Sequence, residues 1–140
     1  MSNDVLGWAS LLAIALALVG IFMMFVTKSY VNRSKRRQRL IELIFGVGNG
    51  WYRGESFDLV MANLFVSGAT FTAWRMKLGC VTKKQKEMGA YAYPALHKDF
   101  NYIKLLEEFK FFVRWEALKA AFIVISLLIG TIVYGFSKGW

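Results

Sequence analysis

The chain reads as an all-α membrane protein, with two transmembrane helices flanking a mainly helical cytoplasmic segment. Three features of its 140 residues point there: an uncharged run near each end, 17 of the 18 Lys and Arg between those runs, and only one Pro, Pro94, in the intervening stretch. Composition closes off other classes. A net charge of +9 keeps a chain unfolded only when hydrophobicity is low, and here 56% of residues are hydrophobic. A single Cys and a single His leave no intrachain disulfide framework and no Cys/His zinc site. The length allows one domain.

The first element is residues 5–27, VLGWASLLAIALALVGIFMMFVT, 23 uncharged residues between Asp4 and Lys28. As a helix it rises about 34 Å, enough for a hydrocarbon core of roughly 30 Å. A secretory signal peptide is the rival, but MSND supplies no cationic leader, and no small-residue cleavage site follows the apolar stretch. The last element is residues 120–137, AAFIVISLLIGTIVYGFS, 18 uncharged residues with Lys119 placed to snorkel. Ala9, Ala13, Ala17 and Gly20 on the first span, and Ser126 and Gly130 on the second, fall at small-residue spacings that permit close helix packing. A third uncharged run, residues 59–74, is short and holds Asn63, Ser67, Thr70 and Thr72, so it reads as no span; crossing there would also separate two basic regions.

Between the spans lie residues 28–119. Basic residues beside span ends stay cytoplasmic, so this segment is expected in the cytoplasm and both termini outside, in an inner membrane as a multi-pass protein. The cluster Lys28, Arg33, Lys35, Arg36, Arg37 and Arg39 packs six bases into twelve residues. It reads as a continuation of the first helix at the headgroups, contacting anionic lipid at roughly 1 kcal/mol per base. Gly46, Gly48 and Gly50 in GVGNGWYRG match no phosphate-cradling spacing and read as a hinge. From Ser56, read as a cap with Asp58 in the first turn, a helix is expected to run to a break at Ser67 and Gly68. From about residue 95, after Pro94, one helix is expected to continue into the last span. Its apolar stripe, Phe100, Ile103, Leu106, Phe109 and Val113, reads as packing against residues 57–65 and 40–45, a second copy or a protein partner.

Chemistry finds little support. Cys80 and His97 make the one nucleophile and base pair, 17 residues apart and without a family signature. Glu107 and Glu108 are adjacent and diverge on a helix, while Glu55 and Asp58 are explained by capping. No acid, base or His lies inside either uncharged run, which leaves a pump or transporter without its usual groups. No cofactor, metal, nucleic acid or small-molecule substrate is expected, and the reading is non-enzymatic.

The layout, a span at each end with the turn GVGNGWY before the charged helix HKDFNYIKLLEEFKFFVRW, resembles the universal stress protein B family. The resemblance implies a small inner-membrane protein with no catalytic residues to carry over. The expected role is an accessory, scaffold or stress-associated subunit working through its amphipathic helices; the alternative is an effector that responds to anionic lipid through residues 28–39.

Overall fold

The computed structural model describes residues 2–45, 56–79 and 101–139. These are helical, with no strand among them: α1 (Asn3–Val31), α2 (Ser34–Phe45), a π-helical segment (Met61–Val66) running directly into α3 (Ser67–Lys77), α4 (Tyr102–Glu108) and α5 (Lys110–Ser137). The chain divides into two compact units, residues 1–25 with 117–140, and residues 26–116.

In the first unit, segments of α1 and α5 lie antiparallel, with small residues at their contact. The Ser126 hydroxyl donates to the Ala13 carbonyl at 2.8 Å. A Cβ at Gly20 would come within 2.9 Å of Ile123 Cγ1, so glycine sets how closely the backbones approach. Ala13, Gly20 and Ser126 are buried, Ala9 and Ala17 half-buried. Gly130 departs from expectation: it is exposed, with nothing near its missing side chain. Met23 is the one large apolar side chain buried among the described residues of this unit, while Leu11, Leu18, Phe22, Leu127 and Leu128 are all exposed. Both α1 and α5 are long and apolar enough to cross a membrane, and only 11% of each apolar window is buried, unlike the core helix of a soluble protein.

The second unit has a core of large side chains. Leu40, Leu43 and Ile44 of α2, Phe57, Leu105 of α4, Phe109 between α4 and α5, and Phe112 of α5 are buried together with Val31, Ala62, Val66, Ala69 and Ala73. Three features correct the sequence reading. First, α1 does not continue through the basic cluster. It ends at Val31, and the side chain of the next residue, Asn32, donates to the Phe57 carbonyl at 2.7 Å and accepts from the Phe57 amide at 2.8 Å. This clamp to a residue distant in sequence replaces helix propagation, and the bend places α2's apolar face in the core.

Second, Ser67 and Gly68 do not break the helix that follows Asp58. Asp58 rather than Ser56 caps it, accepting from the Met61 amide at 2.7 Å. A mid-helix Gly costs about 1 kcal/mol relative to Ala. The buried face Ala62, Val66, Ala69 and Ala73, together with the Thr70 hydroxyl bonded to the Ser67 carbonyl, offsets that cost. The helix ends at Gly79, whose φ of 71° supplies the left-handed residue that closes a C-terminus.

Third, no single helix runs from residue 95 to the last span. Asn101 is non-helical and caps α4 by accepting from the Lys104 amide at 3.2 Å, while its own amide donates to the Leu43 carbonyl at 2.8 Å. At Phe109 the backbone departs from helical angles (φ −108°, ψ 34°), although the flanking bonds from the Phe109 amide to Leu105 and from the Val113 amide to Phe109 persist. The result is a kink, with Phe109 buried inside it. Gly46, Gly48, Gly50, Cys80, His97 and Phe100 lie outside the described residues.

Candidate functional site

Two polar arrangements stand out in the second unit. The first surrounds Glu116, a carboxylate buried on α5 near the end of the unit. Its Oε1 accepts from the Thr27 hydroxyl at 3.0 Å, and its Oε2 accepts from the Ser67 hydroxyl. Thr27 Oγ1 in turn accepts from the Trp115 indole at 3.1 Å. Thr27 belongs to α1, Ser67 to α3, and Trp115 and Glu116 to α5, so one carboxylate ties three helices together. A buried carboxyl group demands such partners, because a buried polar group left unpaired costs several kcal/mol. Hydroxyl donors occupy both oxygens, and among the described residues no three His, Cys, Asp or Glu converge to hold a metal.

Sequence reasoning passed over this cluster. By sequence, Glu116 belongs to no motif, Thr27 closes the first uncharged run, and Ser67 reads as a helix break. The available signal was an isolated acid four residues before the uncharged run that starts at Ala120.

The second arrangement is the basic cluster, which divides into two halves. Arg36 lies over the Tyr30 ring, 3.9 Å from its centroid, and Tyr30 stacks on Phe112 at 5.1 Å. Arg37 donates to the Ser56 hydroxyl at 3.2 Å. Arg39 grips Glu108 in a two-pronged pair, Nε to Oε2 at 2.8 Å and an outer nitrogen to Oε1 at 2.5 Å, and reaches Glu42 at 3.4 Å. The hydrogen bond from Arg39 holds the Glu108 carboxyl below the ordinary carboxylate range and raises the Arg39 guanidinium in turn. These three arginines fasten α2 to its neighbours. Lys28, Arg33 and Lys35 are exposed instead, and they are the half of the cluster that faces outward.

The expected partner-facing stripe also divides. Phe109 is buried in the unit's core and Leu106 packs against it half-buried, while Val113 is half-buried and Ile103 is exposed. The buried face runs through Leu105, Phe109 and Phe112, one step round the helix from the expected one. Compared with known proteins, the chain matches no family model, no curated protein and no solved structure.

Proposed function

We propose that the chain is a non-enzymatic two-span membrane protein whose membrane-proximal helical unit docks on the anionic face of a bilayer, as a scaffold fixed at that surface. The observation that carries this reading is the division of the basic cluster. Arg36, Arg37 and Arg39 are spent on internal contacts, whereas Lys28, Arg33 and Lys35 stand exposed within eight residues of one another where the first uncharged run ends. Exposed bases at a span end are positioned for lipid phosphates, and three contribute roughly 3 kcal/mol at an anionic leaflet. The same charge bias supports a cytoplasmic second unit with both termini outside, in an inner membrane.

Adding phosphatidylglycerol to the detergent-solubilised protein should raise its unfolding temperature more than phosphatidylcholine does. Replacing Lys28, Arg33 and Lys35 together with Gln should remove that difference and weaken phosphatidylglycerol binding about a hundredfold. An undiminished response in the triple variant would overturn the reading. A reporter fused at Trp140 that is active only in the cytosol would overturn the topology.

A second reading, an accessory subunit with a protein partner or second copy, is favoured by Phe111, 81% exposed on α5, and by exposed Ile103 on α4. Isolation in mild detergent of a monomer with no co-purifying protein would count against it.

A further inference from the structure

The helix over residues 59–77 has two faces. Its fully buried positions are small, Ala62, Val66, Ala69 and Ala73, with Met61, Phe65 and Met76 packed partly against the core beside them, while Val60, Leu64, Phe71 and Trp74, at spacings of four, seven and three, face out and are each at least half exposed. Residues 59–74 carry no charge on either face. A helix that packs in water buries its large side chains and exposes charged ones, as α2 does with Leu40, Leu43 and Ile44 inside and Lys35 outside. The helix over residues 59–77 instead exposes large uncharged side chains and fully buries only small ones, much as the first unit exposes Leu18, Phe22 and Leu127 and buries Ala13, Gly20 and Ser126.

Hydrogen bonding ties the helix to α5 within the second unit: Ser67, near its midpoint, donates to Glu116, which stands four residues before the uncharged run that starts at Ala120 in the sequence. Charged residues stand at both ends, Asp58 before the helix and exposed Lys77 at its close, and Trp74 sits beside the basic end as an aromatic with one apolar and one wet edge.

We infer that the outer face of residues 59–77, carried by Val60, Leu64, Phe71 and Trp74, lies in the headgroup and acyl boundary of the bilayer as an interfacial helix, with lipid as its occupant. The helix neither crosses the membrane nor awaits a protein. The inference deepens the docking reading above and rests on the two-span architecture. It adds an apolar contact to the electrostatic one: Lys28, Arg33 and Lys35 hold headgroups, and Leu64, Phe71 and Trp74 enter below them.

The test uses the full chain with Cys80→Ser, carrying a single cysteine at Leu64 or Phe71, labelled with bimane and reconstituted in phosphatidylethanolamine and phosphatidylglycerol vesicles. Leu18→Cys serves as the span reference and Glu107→Cys as the water reference. Labels at 64 and 71 should be quenched several-fold less by iodide than the label at 107, and quenched most strongly by lipid carrying its nitroxide near the headgroup. Strong iodide quenching at 64 and 71 with 18 still protected would overturn the inference and leave the two-span architecture standing. Iodide reaching 18 as readily as 107 would overturn both. Protection from iodide and nitroxide lipid alike would mean that a second copy covers the face, and strongest quenching by nitroxides at the bilayer centre would mean a third span; either contradicts the inference.

Discussion

The two units use apolar residues in opposite ways. In the first, the contact between α1 and α5 is made by Ala13, Gly20 and Ser126, while leucines and phenylalanines face outward. In the second, Phe57, Leu40, Ile44 and Leu105 are fully buried, and Lys35 of α2 and Lys104, Glu107 and Glu108 of α4 face outward. The proposed placement of the first unit in lipid accounts for the reversal. Lipid tails give large side chains nothing to escape, so helices associate in them by close backbone approach. Water drives large side chains inward, at roughly 25 cal/mol per Å² of apolar surface removed from it. The helix over residues 59–77 belongs to the second unit by its contacts and to the first by its residue sizes.

Substitutions that respect or violate this contrast should separate the units. The largest effect is expected for Phe57→Ala, which empties a fully buried site beside the Asn32 clamp. It should cost about 3–5 kcal/mol of stability, read as a lower unfolding temperature in detergent. Leu127→Ala, on the outer face of the first unit, should stay within about 0.5 kcal/mol of the parent. Comparable losses at both sites would break the contrast.

Glu116→Ala comes next, since it removes the acceptor shared by Thr27 and Ser67. A loss of about 1–3 kcal/mol is expected, with earlier proteolysis of the second unit. An unchanged cleavage pattern would show that the three helices do not depend on that carboxylate.

Gly20→Val should then disturb the first unit by about 1–3 kcal/mol, because even a Cβ there meets Ile123. Gly130→Val, with open space around it, should be silent. Disulfide trapping between cysteines placed at Ala13 and Ser126 reads the difference: it should slow in the first variant and not in the second.

The smallest effect concerns pH. Glu108 is held below its ordinary carboxylate range by Arg39, so the pair contributes stability that is present above that range and lost as pH falls through the lowered value. Unfolding measured downward from pH 7 should show a shallow loss on the acidic side that Arg39→Gln abolishes. High salt should blunt it, since the pair is exposed.

Much of this was legible in the sequence, and what was not has a common cause. The long apolar helices follow from uninterrupted uncharged runs, and the close contact at Ala13, Gly20 and Ser126 follows from residue size at helical spacing. The breaks at Asn32 and Phe109 escaped because partners far along the chain determine them: Asn32 leaves the helix to bind Phe57, and Phe109 is drawn into a core that also holds Leu40 and Val66. The shift from the stripe through Ile103 and Leu106 to the one through Leu105 and Phe112 has a related origin. Residues 100–113 carry apolar side chains on most positions, so periodicity admits two neighbouring faces and tertiary packing selects one. At the start of the π-helical segment, Ser56 and Asp58 were equally good caps by composition. Only the bond from the Met61 amide distinguishes them. The Glu116 cluster joins residues 27, 67 and 116, a pairing that no local pattern contains.

The most direct measurement of whether the two units occupy different solvents is nitroxide accessibility in reconstituted vesicles, with single labels at Leu18, Leu127 and Glu107. Labels at 18 and 127 should relax strongly with oxygen and weakly with a water-soluble nickel chelate, and the label at 107 should do the opposite. Equal access of the nickel chelate to all three would mean that the leucine-covered pair of helices never enters a bilayer.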